Sequence, residues 1–219
     1  MAKKVGVVLS GCGVYDGAEI HESVITMLAL DRRGAEMVLC APNVDQLHVV
    51  NHLTGKVEEG ASRNVLVEAA RIARGAIRDV AQVNADELDA LILPGGYGAA
   101  KNLCTFAVAG PDCTVNPDVA RLVRAVHAQG KPIAAECIAP ALLAKLLGES
   151  TPQLTIGNDP GTAGALEKMG ARHVACPVSE LVVDREHKLI STPAYMLAGR
   201  IAEAAEGIEK AVDALLEMA

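Results

Sequence analysis

The sequence has no tryptophan, one phenylalanine and three tyrosines among 219 residues. Without large aromatic anchors, the 51% of residues that are hydrophobic must build a core from Ala, Val, Leu and Ile, a composition that suits helices packed on parallel strands. No run of about 18 apolar residues occurs, which excludes a membrane-spanning helix. Basic residues form no long run or stripe. Lys plus Arg number 20 against 27 Asp plus Glu, a formal charge of −7, so nucleic acid is excluded as a partner. The six cysteines contain no CxxC and no close pairing, which argues against a zinc site or a disulfide framework and for reduced thiols in a cytoplasmic protein. Leu9-Ser10-Gly11-Cys12 looks like a lipobox. The preceding apolar stretch, however, is shorter than the ~7 residues of a signal peptide's apolar region and alternates Gly with Val like a buried strand.

What is present points to one α/β domain spanning 1–219. A chain of this length can bury about 70% of its surface, enough to offset the entropy of ordering it. Val5–Leu9, Met37–Cys40, Leu91–Leu93 and Pro132–Glu136 read as short buried strands, and Leu181–Asp184 with Leu189–Ser191 as a hairpin. Apolar residues at helical spacing predict helices over Ile20–Leu30, Ser62–Ala73, Pro117–Gln129, Ala139–Leu147, Thr162–Met169 and Ala198–Met218. The alternation predicts a doubly wound, flavodoxin-like, mostly parallel sheet with helices on both faces. Asn43–Ser62 is the least regular stretch and is expected as an insertion at the sheet edge.

In such sheets ligands bind beyond the carboxyl ends of the strands, which selects the loops Ser10–Glu22, Pro94–Asn102 and Glu136–Pro140. In Ala135-Glu136-Cys137-Ile138-Ala139, small residues stand two positions either side of a cysteine between strand and helix, the pattern of a nucleophile elbow. A thiol over the first turn of a helix is expected to favour the thiolate, although free cysteines are more commonly inert core residues. Pro94-Gly95-Gly96-Tyr97-Gly98 offers backbone N–H groups to an oxyanion or a phosphate, or is an ordinary turn. Gly11-Cys12-Gly13-Val14-Tyr15-Asp16-Gly17 is one residue out of register with a dinucleotide fingerprint, and Asp16, Glu19 and Glu22 would repel a pyrophosphate there. Favourable charge at a helix start explains Glu19 better than Glu22. His48 and His52 have ligand-like spacing but no third ligand, so no metal and no cofactor are expected.

The strings VGVVLSGCGVYDGAEIHE, LILPGGYGAAKNL, PIAAECIAPALLAKLLG and LISTPAYMLA resemble the ElbB family, known as enhancing lycopene biosynthesis protein or sigma cross-reacting protein, nearly end to end. That family looks like a PfpI-like branch of the class I glutamine amidotransferase superfamily. The resemblance implies Cys137 as nucleophile, Glu22 as its acid partner, Gly95, Gly96 and Ile138 as oxyanion and substrate donors, and a homodimer. One part is missing. Relatives with protease, deglycase or glutaminase activity carry a histidine after the strand that follows the elbow helix, where this chain reads Leu154-Thr155-Ile156-Gly157-Asn158-Asp159. Amide hydrolysis then lacks its general acid, whereas thiolate addition to an aldehyde needs none. His21, His127 and His173 are the candidates to supply one from elsewhere. The implied activity is that of a glyoxalase acting on a small aldehyde without added thiol, turning glyoxal into glycolate. Two other readings stand beside it: a redox protein in which Cys137 reacts with peroxide and Cys12 resolves it, and an accessory factor in isoprenoid metabolism, which rests on the family name alone.

Overall fold

The computed structural model describes residues 2–219. In chain order the strands are β1 (Lys4–Val8), β2 (Glu36–Ala41), β3 (Val50–Asn51), β4 (Lys56–Val57), β5 (Arg78–Asp79), β6 (Ala90–Leu93), β7 (Ile133–Glu136), β8 (Gln153–Leu154), β9 (Arg172–His173), β10 (Val182–Asp184) and β11 (Leu189–Thr192). The helices are α1 (Ile20–Arg32), α2 (Val65–Ile72), α3 (Tyr97–Lys101), α4 (Phe106–Ala109), α5 (Pro117–Ala128), α6 (Pro140–Leu147), α7 (Pro160–Lys168) and α8 (Ile201–Met218).

Seven strands form one sheet in the order β10-β11-β7-β6-β1-β2-β5. All its pairings are parallel except the β10-β11 hairpin. The period of two along each strand divides the core into two layers. Leu91, Leu93, Ile133 and Ala135 face Leu122, Val126, Leu142 and Leu143 on one side. Val5, Val7, Ile92, Ala134 and Ile190 face Leu30, Val65, Val212 and Leu215 on the other. The doubly wound mostly parallel sheet expected from the alternating pattern is the fold found. Among the described residues no helix is long and apolar enough to cross a membrane.

Local chemistry moves several element boundaries from their predicted positions. The helix expected from Ser62 begins at Val65, because the Asn64 side chain accepts from Val67 N–H and stops the chain there. Asp159 caps α7 by accepting from Thr162 N–H, so the helix begins at Pro160, ahead of the apolar periodicity that placed its start at Thr162. The last helix starts at Ile201 with extended Arg200 before it, three residues later than expected. The irregular stretch 43–62 carries the β3-β4 hairpin and is fastened to the first loop: Val50 N–H donates to Asp16 Oδ2 at 2.7 Å and Tyr15 N–H to His52 Nε2 at 3.2 Å.

Candidate active site

The carboxyl ends of β1, β6 and β7 lie side by side in the sheet, and their loops meet. After β7 the chain turns through Cys137 with φ of +57°, a left-handed conformation that a β-carbon makes costly. The turn is held by Cys137 N–H donating to Thr192 O at 3.0 Å, and α6 follows from Pro140. This is the elbow that the small flanking residues predict.

Helix α1 brings the carboxylate. The Glu19 side chain caps it, accepting from Glu22 N–H at 2.7 Å, so the acid assigned to the helix start occupies that position. Glu22, one turn in, is fully buried and reaches the elbow. Its Oε2 accepts from Gly95 N–H at 2.9 Å and its Oε1 from Tyr195 N–H at 3.1 Å, which holds the carboxyl beside Cys137. Asp16 is not part of this cluster. It is spent on Val50 N–H and lies 3.8 Å from His52.

The glycine loop divides its work differently from the expectation. Gly96 and Ile138 line the cavity with Cys137, and their N–H groups favour its ionised form. Gly95 is not such a donor: its N–H is committed to Glu22, and a Cβ there would overlap the Cβ of Cys137 and lie 2.7 Å from Glu22 Oε2. Gly95 therefore orients the acid and makes room for the nucleophile. The first loop is closed on itself by Gly13 N–H to Ala18 O at 2.9 Å and Gly17 N–H to Gly13 O at 2.7 Å, which leaves those donors unavailable to a pyrophosphate.

A cavity of about 330 Å³ opens over Cys137, lined by Gly96, Tyr97, Phe106, Ile138, Tyr195 and Met196 among others. No histidine lines it. His21 comes nearest in connection, its Nδ1 lying 2.8 Å from the hydroxyl of Tyr195. His173 instead accepts from Ile156 N–H at 3.4 Å, and His127 lies against His187. Cys12, the expected resolving thiol, does not line the cavity; its charged neighbours are Glu68, Arg71, Asp16 and Arg63. Burial, and next the charge of Glu68, raise its pKa. Among the described residues no group of three or more His, Cys, Asp and Glu could hold a metal ion.

The electrostatics correct the expectation of an intrinsically acidic thiol. Burial first, and then the Glu22 charge, push the Cys137 thiol well above its ordinary value, while the Gly96 and Ile138 N–H groups pull it back. Burial pushes Glu22 up to about 7 against the pull of the Tyr195 N–H. Two acids in one dry site resist carrying two charges, so they act as a pair. The residue that sequence reasoning missed is Glu136, fully buried beside them. The only signal was a charged residue ending an otherwise apolar, two-face-buried strand.

An elbow cysteine, a glycine loop and a glutamate from the first helix on a parallel sheet define the class I glutamine amidotransferase-like fold. The chain belongs to the DJ-1/PfpI family, whose model matches residues 12–191. It is 47% identical to human "Glutamine amidotransferase-like class 1 domain-containing protein 3, mitochondrial", over 99% of this chain and 84% of that protein. A rat "ES1 protein homolog, mitochondrial" is 46% identical over 98% of this chain and 84% of its own length. A crystal structure of an Ehrlichia chaffeensis "isoprenoid biosynthesis protein with amidotransferase-like domain" superposes with a TM-score of 0.90 at 37% identity, covering 98% of this chain and 99% of that one.

Proposed function

We propose that this chain is a glyoxalase-type enzyme of the ElbB branch, converting glyoxal and related small 2-oxoaldehydes to 2-hydroxy acids with no cofactor and no added thiol. One observation carries the reading: the fully buried Glu22 carboxyl packs beside an elbow cysteine that opens into a small cavity lined by no histidine. Peptidase and glutaminase chemistry would need a proton donor for a leaving amine. Aldehyde addition needs only a thiolate, a proton for the new alkoxide and a base one carbon away.

The proposed steps use Cys137, Glu22 and the two neighbouring N–H groups. Cys137 Sγ bonds to one aldehyde carbon, and its oxygen takes up the proton that the Glu22–Cys137 pair holds, giving a hemithioacetal. Glu22, now a carboxylate, removes the hydrogen from that carbon. The resulting enediol is reprotonated by Glu22 on the neighbouring carbon, so hydrogen moves one position and no external oxidant or reductant is consumed. Gly96 and Ile138 N–H stabilise the oxygen that carries developing charge. Water then cleaves the thioester, releasing glycolate and the free thiol. A cavity of about 330 Å³ lies at the small end of ligand sites and fits substrates of this class.

We further propose a homodimer in a compartment where thiols stay reduced. The mammalian relatives bear mitochondrial names, so a reducing environment rather than the cytoplasm specifically is what the cysteines support. The name of the Ehrlichia protein ties that protein to isoprenoid biosynthesis, but no residue of this site selects an isoprenoid.

The test is to incubate the protein and its Cys137→Ala variant with glyoxal, in a buffer free of amines and thiols, and follow glycolate. Catalytic glycolate from the wild type alone supports the proposal. No turnover from a protein whose Cys137 still alkylates overturns it in favour of a redox role.

A further inference from the structure

Glu136 takes no part in the chemistry above, yet it is the residue before the nucleophile and has no solvent exposure. Its Oε1 accepts from the Thr26 hydroxyl at 2.7 Å, and its Oε2 has no hydrogen-bond partner. Among the described residues, the charged groups that bear on it are Glu22 and Glu19, both from the start of α1, and no cation does. Thr26 and Glu22 are one turn apart on the same face of α1, while Glu136 and Cys137 are neighbours at the end of β7. The same helix therefore meets the same strand end twice, through the Thr26–Glu136 hydrogen bond and through Glu22, which packs beside Cys137 over Gly95.

We propose that Glu136 is a positioning residue whose carboxyl, through the Thr26 hydroxyl, sets the turn of α1 that carries Glu22 in register with the strand end that carries Cys137. It does this as a neutral acid. A buried carboxylate with one hydroxyl donor, an empty second oxygen and two acids for neighbours has nothing to hold its charge. Burial, followed by the charge of Glu22, works in the same direction. The role depends only on the contact between Glu22 and Cys137 and not on which substrate the site turns over.

The experiment measures the rate at which iodoacetamide alkylates Cys137 as a function of pH, read at the Cys137 peptide by mass spectrometry. Glu136→Gln and Thr26→Ser keep the acceptor and the donor, and both are expected to keep the wild-type midpoint. Thr26→Val keeps the volume and loses the donor. Its midpoint should move toward that of an ordinary thiol as Glu22 loosens, and glyoxal turnover, where the wild type shows it, should fall about tenfold. Glu136→Ala should behave like Thr26→Val if it folds, and the isosteric valine decides the matter if it does not. A midpoint lowered by Glu136→Gln would show that a negative charge had been removed and would overturn the neutral-acid assignment. A Thr26→Val profile matching the wild type would overturn the positioning role. Neither result depends on glycolate formation, so failure of the glyoxalase reading is scored separately.

Discussion

Gly95 and Cys137 lie so close that the α-carbon of one leaves no room for a side chain beneath the β-carbon of the other, while the Gly95 N–H holds the Glu22 carboxyl that faces the same sulfur. One glycine thus serves the nucleophile by what it lacks and the acid by what it donates.

Gly95→Ala should therefore be severe although only a methyl is added. The new carbon would meet the Cys137 β-carbon, Glu22 Oε2 at 2.7 Å and Glu136 O at 2.9 Å, so all three contacts fall on the Glu22–Cys137 pair or the backbone beside it. Overpacking of this kind costs about 1–3 kcal/mol, and displacement of the pair should lower turnover by about 100-fold. Thermal unfolding and glycolate formation check the two effects separately.

The raised Glu22 makes stability depend on pH in a defined direction. Its pKa lies at about 7 in the folded chain against 4.5 when unfolded, so between those values the folded state holds the extra proton. This contribution is full below pH 4.5 and is lost as pH rises toward 7. Glu22→Gln removes the titration. Wild type should lose roughly 3 kcal/mol relative to this variant across the window, and urea unfolding at several pH values measures it.

The same variant reports on the thiol. With the carboxylate gone, the second-largest cause of the raised Cys137 value disappears and burial remains. The midpoint for alkylation of Cys137 should fall in Glu22→Gln while staying above that of an ordinary thiol. An unchanged midpoint in both Glu22→Gln and Glu22→Ala would show that the two groups are uncoupled.

Tyr195 touches the site twice, through its backbone N–H to Glu22 and through its hydroxyl to His21. Tyr195→Phe keeps the first contact and loses the second, so turnover should fall by no more than about tenfold. If the hydroxyl acts only through His21, the double variant with His21→Ala should be no worse than either single change. Measuring kcat/KM for all three decides it.

Removing Cys12 should leave the response of Cys137 to mild peroxide as it was. Cys12 does not line the cavity, and its charged neighbours are Glu68, Arg71, Asp16 and Arg63. Mass spectrometry of Cys12→Ser should show the same oxidation of Cys137 as the wild type, without a mixed disulfide in either.

Most of the fold was legible because the buried strands and amphipathic helices announce themselves by period. β5, Arg78–Asp79, has two residues and no apolar signature, and β8 and β9 are equally short, so pairing alone reveals them. Cys137 is singled out by the elbow pattern, and Glu22 by the family resemblance and its spacing of twelve residues to Gly34. The thiol's ionisation could not be read, since a helix N-terminus favours the thiolate while burial, visible only in three dimensions, opposes it more strongly. Gly95 was misassigned for a related reason: sequence shows that an N–H is available, and only the fold shows that Glu22 has taken it.

The interlock of the first loop with the glycine loop limits how substrate can be chosen. Tyr97 N–H donates to Val14 O at 2.8 Å and Gly98 N–H to Gly17 O at 2.9 Å, and a Cβ on Gly98 would run into the Gly17 main chain. Parting these two loops would break both main-chain bonds. On the proposed reading, that seam leaves discrimination to the dimensions of the opening, a sieve that excludes by girth rather than a clasp that recognises by closing.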